Sequence, residues 1–130
     1  MSAARILIAD DDPDILEALD DRLASQGYAV RRASDGVSAL ESLRTDPPDL
    51  VLLDLMMPRL SGMDVLDRIR TEELDVTAVV ITAAGTVQRA VEAMRAGAYD
   101  FITKPFDPQQ VLLVVRKALE RDGLRRRNRL

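Results

Sequence analysis

The sequence predicts an α/β fold, a (βα)5 three-layer sandwich with one parallel sheet between two helix layers. Three observations carry the prediction. The apolar runs Ile6-Leu7-Ile8-Ala9, Leu50-Val51-Leu52-Leu53 and Val76 to Ile81 lack the polar alternation of a half-exposed strand, so they read as strands buried on both faces. Segments of helical period separate the strands, opening on capping residues and closing on glycine or proline. Polar residues stand where the apolar runs stop, which in a parallel sheet gathers them at one edge.

In chain order, the first strand ends in Asp10-Asp11-Asp12, and Pro13 suits a first helical position capped by Asp12. Ile15, Leu16, Leu19 and Leu23 have helical spacing, and Gly27 stops them. Tyr28 to Ala33 reads as a partly exposed second strand. Ser34-Asp35-Gly36 is a turn and cap, leading to a helix with Val37, Leu40 and Leu43 on one face. Pro47-Pro48 ends that unit before the third strand, which carries Asp54. The turn Pro58 to Gly62 leads to a helix over Met63–Arg70. The fourth strand, Val76 to Ile81, ends at Thr82-Ala83-Ala84-Gly85, where Ala83-Ala84-Gly85 is a small-residue loop able to shift. Thr86 can cap a helix to Ala96 with Val87, Val91 and Met94 inward, ended by Gly97. Tyr99 to Thr103 is a fifth strand, and Asp107-Pro108 opens a last helix to about Arg121.

Composition narrows the chemistry. The chain of 130 residues fits one domain, and 47% hydrophobic with 31% charged residues is ordinary for a globular protein. Its net charge of −4 argues against a nucleic-acid surface within this domain. No cysteine is present, which excludes disulfides and thiolate metal sites. No histidine is present either, which removes imidazole acid–base catalysis and a phosphohistidine role. No stretch has the length or apolarity to span a bilayer, so a cytoplasmic location is expected.

The strand ends carry Asp10 and Asp11, Asp54, Thr82 and Lys104. With strand one central and beside strand three, Asp10, Asp11 and Asp54 meet. Three such carboxylates repel one another, which raises their pKa values or calls for a cation. All-oxygen ligands favour a hard ion, magnesium or manganese. Lys104 brings a compact positive charge; lysine occurs only there and at Lys117. A cation-bound carboxylate flanked by an ammonium and a hydroxyl is suited to accept a phosphoryl group, which would place an aspartyl phosphate on Asp54.

Asp10-Asp11 after a strand, Asp54 with Met57-Pro58 and Gly62, Thr82-Ala83, and Lys104-Pro105 together resemble the receiver domain of two-component response regulators, over Arg5 to about Arg121. The run Gly97 to Phe106 resembles the subgroup controlling sigma-54-dependent transcription, the NtrC-like regulators. The resemblance implies a flavodoxin-like, CheY-like sheet of order 2-1-3-4-5. It makes Asp54 the phosphoacceptor. Asp11, Asp54 and the Met56 backbone carbonyl would hold magnesium directly, and Asp10 through water. Lys104 would pair with the phosphoryl group, Thr82 would move towards it, and Phe101, where a tyrosine is often found, would turn inward as part of the switch. The implied partners are a sensor histidine kinase, an output domain, and a second copy through the fourth helix, fifth strand and fifth helix. Such a domain is a phosphoacceptor that catalyses its own phosphotransfer and slow dephosphorylation, not a turnover enzyme.

The run Val111 to Val115 exceeds one core-facing stripe, so Leu112 or Leu113 is expected to meet a partner. Residues 122–130, rich in arginine, are expected to begin a linker to an output domain rather than form a DNA-binding arm. The competing reading is a haloacid-dehalogenase-like phosphatase with Asp54 as nucleophile. That chemistry wants an aspartate as general acid two residues on, where this chain has Met56. Neither Met56 nor Ala84 can orient an attacking water, so a phosphoaspartate lasting minutes or longer is expected.

Overall fold

The computed structural model describes residues 3–83 and 87–129, with residues 122–129 described by their backbone alone. Strand and helix alternate five times: β1 (Arg5–Ala9), α1 (Pro13–Ala24), β2 (Ala29–Ala33), α2 (Gly36–Thr45), β3 (Leu50–Asp54), α3 (Gly62–Thr71), β4 (Thr77–Ala83), α4 (Val87–Arg95), β5 (Asp100–Lys104) and α5 (Pro108–Arg129). All strands pair in parallel, in the order β2-β1-β3-β4-β5. The predicted architecture and strand order are those observed.

The alternation of side chains along each strand divides the core in two. Leu7, Val51, Leu53 and Val80 face α2, α3 and α4, meeting Ala39, Leu43, Val65, Leu66 and Ala93. Ile6, Ile8, Leu50, Leu52, Val79 and Ile81 face α1 and α5, meeting Leu16, Leu19, Leu23, Val111, Leu112 and Val115. Every residue of β3 is buried, as its unbroken apolar run requires. Asp12 caps α1, accepting from the Asp14 backbone N–H, with Pro13 in the first turn. Asp35 caps α2 through the Ser38 N–H, and Ser61 caps α3 through the Asp64 N–H.

Several boundaries differ from the sequence expectation. β4 runs two residues further, to Ala83, and β5 ends at Lys104, because Thr82 pairs with Thr103 and Ala83 with Lys104 in the ladder. Val37, in the first turn of α2, lies exposed beside Leu60 instead of joining Leu40 and Leu43. On α4 the buried residues are Ala90 and Ala93; Val87 is 77% exposed, and Val91 and Met94 also face outward. Ala93 and Ala98 pack with Ala78 and Val80. Small residues let the helix approach closely, and the larger stripe is turned out. The proposed Thr86 cap and the loop residues Ala84 and Gly85 lie outside the described residues. α5 continues to Arg129, past the expected end near Arg121. Gly123 alone interrupts its helix formers, at a cost of about 1 kcal/mol relative to alanine.

Candidate functional site

Register brings the acidic residues together. Ala9 pairs with Leu53, so Asp10 and Asp54 occupy neighbouring positions as β1 and β3 reach the carboxyl edge. Asp10 is 0% and Asp54 3% exposed, whereas Asp11 faces solvent. One carboxylate oxygen from each of the three lies within 4.8 Å of the others. Backbone donors hold two of these side chains. The Asp12 N–H donates to Asp10 Oδ1 (2.9 Å), and the Met56 N–H donates to Asp54 Oδ1 (3.0 Å).

Lys104 comes from β5, beyond β4 in the sheet. Its ladder partner is Ala83, whose methyl group leaves room for the lysine stem to cross the end of β4. The Nζ lies 3.1 Å from both Asp10 Oδ2 and Asp54 Oδ2. It donates a hydrogen bond to Asp54. Its approach to Asp10 lacks hydrogen-bond direction, and Asp10 Oδ2 has no hydrogen-bond donor among the described residues. Buried Thr82 follows Ile81, the register partner of Asp54. Phe101 is not in this cluster. It is 40% exposed, in a groove with Val87, Val91 and Met94 between β5 and α4.

The electrostatics follow from burial and crowding. Burial pushes the Asp10 carboxyl up, and the Asp54 charge adds to the rise; the Asp12 N–H and Lys104 oppose it without cancelling it. Burial pulls the Lys104 ammonium down, but its contacts with Asp10 and Asp54 outweigh that and leave its pKa raised. A raised Asp10 pKa means that the native state holds its proton above the ordinary value of 3.8. Stability from this residue is therefore greatest below that pH and falls as pH rises through the folded pKa. Asp10→Asn removes the buried charge while Lys104 keeps Asp54. It is expected to stabilise the metal-free protein at pH 7 by on the order of 1 kcal/mol, raising the thermal midpoint by about 4 °C. Thermal unfolding in chelator at pH 7 and near pH 3.5 measures this. A gain of equal size at both pH values would rule out the charge as its cause.

Three hard oxygen donors around one point, with a buried carboxylate oxygen short of a hydrogen bond, fit a small hydrated divalent cation. One residue at the rim had no signal in the sequence. Arg89, in the first turn of α4, contacts the sulfur of Met56 across 33 residues of chain, and only the fold brings the two together.

The sequence and the fold recur in known proteins. The sequence pattern of the response regulator receiver domain matches residues 6–116. The chain is 41% identical over 122 residues to the response regulator MprA of Mycobacterium ulcerans, covering 94% of this chain and 53% of that protein. It thus spans about half the length of the curated relatives it matches. The signal receiver domain of a LuxO repressor protein from Vibrio parahaemolyticus superposes with a TM-score of 0.91 at 28% identity, covering 95% of each chain. The receiver domain of NtrX from Brucella abortus is 39% identical, with a TM-score of 0.83 over 88% of this chain and 98% of that one. In a longer NtrX chain from Brucella abortus the match, at 39% identity, occupies 29% of the length. With the sheet order, the carboxylate cluster and the sequence match in agreement over most of its length, the chain belongs to the response regulator receiver domain family.

Proposed function

We propose that this domain is the phosphorylation-controlled switch of a two-component response regulator, and that Asp54 takes a phosphoryl group from a sensor histidine kinase. The observation that carries the reading is the position of the Lys104 ammonium, 3.1 Å from both Asp10 and Asp54 where three strand ends converge. Asp54 is the buried carboxylate that Lys104 and the Met56 N–H hold in place. Lys104 can neutralise a phosphoryl oxygen, and the Thr82 hydroxyl can donate to another. Asp11, Asp54 and the Met56 carbonyl would hold magnesium, or manganese, with Asp10 acting through water. The ion supplies positive charge that offsets the carboxylates and the incoming group.

Once phosphorylated, Asp54 gains about 1.5 to 2 negative charges and new acceptor oxygens. A conformer with Thr82 drawn in gains hydrogen bonds, so phosphorylation shifts an existing equilibrium. Phe101, exposed beside α4, is the aromatic that would turn inward in that conformer. An apolar groove of about 410 Å³ between α4 and β5, with Leu113 exposed on α5, supports a homodimer through these elements. Leu112 is buried and is not available to it.

An output domain following residues 122–130 would act on transcription, consistent with the repressor named among the similar structures and with NtrX, an NtrC-type regulator. The domain itself would bind no nucleic acid. Among the described residues no helix is long and apolar enough to cross a membrane, and we assign the domain to the cytoplasm.

Incubation with acetyl phosphate and magnesium tests the reading. One phosphoryl per chain by intact mass, blocked by chelator, is expected. The label should decay over minutes or longer after the donor is removed, because half-exposed Met56 offers no group to orient water. The family match does not support a haloacid-dehalogenase-like phosphatase, and Met56 has no proton to give a leaving group. Steady release of phosphate through many turnovers would count against the switch.

A further inference from the structure

Arg89 sits where a cation is poorly placed. It lies in the first turn of α4, whose N-terminal end carries partial positive charge, and no acidic residue accompanies it there. None of the ion pairs among the described residues includes it. Its guanidinium is exposed and rests on the Met56 sulfur, a weak acceptor that neutralises none of its charge. Met56 is 55% exposed, and its own N–H holds the Asp54 carboxylate. A guanidinium with no ion pair among the described residues therefore stands against Met56, two residues on from Asp54.

That site is acidic: among the described residues Asp10, Asp11 and Asp54 cluster beside one ion-paired cation, Lys104. An incoming phosphoryl group carries negative charge and has to pass this rim. A planar guanidinium can grip two phosphoryl oxygens at once, which the thioether beneath it cannot.

Resting on the phosphoacceptor reading of Asp54, we propose that Arg89 is a positioning residue for phosphoryl transfer, which leaves the Met56 sulfur to take the non-bridging oxygens of an anionic phosphodonor. In the step it serves, an Asp54 carboxylate oxygen bonds to phosphorus and the bond from phosphorus to the donor's leaving atom breaks. With acetyl phosphate, acetate departs with the electron pair. Arg89 stays protonated throughout and is released as the leaving group goes.

The test compares second-order rate constants for labelling by acetyl phosphate in saturating magnesium, for wild type, Arg89→Lys, Arg89→Gln, Arg89→Ala and Arg89→Glu. At low ionic strength, Arg89→Ala and Arg89→Gln are expected to be slower by about fivefold, Arg89→Glu slower still, and Arg89→Lys intermediate. The spread should collapse in about 1 M salt, where the Debye length is about 3 Å. A structural role would follow side-chain size and stability, not charge and salt, so thermal midpoints are measured alongside. Equal rates for wild type, Arg89→Ala and Arg89→Glu at low salt would overturn the proposal, as would differences that persist unchanged in high salt. If the wild-type protein takes no label, the phosphoacceptor reading itself is what has failed.

Discussion

Asp54→Asn is expected to take up no phosphoryl group from acetyl phosphate under conditions that label the wild-type chain once. Asp54 is 3% exposed and, among the described residues, accepts from the Met56 N–H at 3.0 Å and the Lys104 Nζ at 3.1 Å. An amide has one acceptor oxygen to offer where the carboxylate has two, so its NH2 group must face one of those donors. Its oxygen is also neutral and a poor nucleophile. Incorporation should fall by at least about 10³-fold, the loss of the nucleophile itself.

Lys104→Ala separates the nucleophile from its electrostatic support. Asp54 remains, but the ammonium 3.1 Å from it and from Asp10 is gone. Removing one preorganised charge at a developing anion costs about 10²–10³ in rate, so slow labelling that still goes to completion is expected. Intact mass over time distinguishes the two variants, and lability of the label to hydroxylamine identifies it as an acyl phosphate. Stoichiometric labelling of Asp54→Asn would move the acceptor to another carboxylate, Asp11 being the exposed neighbour in the cluster.

The parts of the molecule that sequence made legible are those that local physics decides. Asp12-Pro13, Asp35 and Asp107-Pro108 announce helix starts because a short acceptor side chain or a fixed φ acts within one turn. The convergence of Asp10, Asp54 and Lys104 is legible because each stands at or just past a strand end, and a parallel sheet brings those ends to the same edge. The inward face of α4 was not. Val87, Val91 and Met94 form one stripe and Ala90 and Ala93 the next; periodicity allows both, and close packing on Ala78 and Val80 selects the smaller residues. The reach of α5 beyond Arg121 was missed because a single glycine weakens a helix without ending it. Arg89 on Met56 joins residues 33 apart through tertiary structure alone, and no short-range pattern encodes it.

Gly62 extends the same point from legibility to stability, and its replacement by alanine is expected to have a large effect. In sequence it reads as the end of a turn. In the structure it is the first residue of α3, and its N–H donates to the Leu55 carbonyl at 3.0 Å. A Cβ there would stand 2.1 Å from the Asp54 carbonyl oxygen and 2.6 Å from Leu55 Cα. Both obstacles are backbone, so no side chain can swing away, and either α3 or the end of β3 has to move. Overpacking of this kind costs about 3 kcal/mol, which for a domain of this size lowers the thermal midpoint by roughly 10 °C. The displaced segment carries Asp54 and the Met56 N–H, so labelling should also slow at temperatures where the variant remains folded. Gly97→Ala supplies the contrast. Its φ of +109° strains any side chain, but a Cβ there meets nothing within 4 Å, and it lies far along the chain from Asp54. That variant should lose stability by about 1–2 kcal/mol and label at the wild-type rate once folded. Chemical denaturation with parallel labelling decides the matter. If Gly62→Ala were as stable as wild type, or no slower to label than Gly97→Ala, the contact between the start of α3 and the end of β3 would not be what holds Asp54 in place.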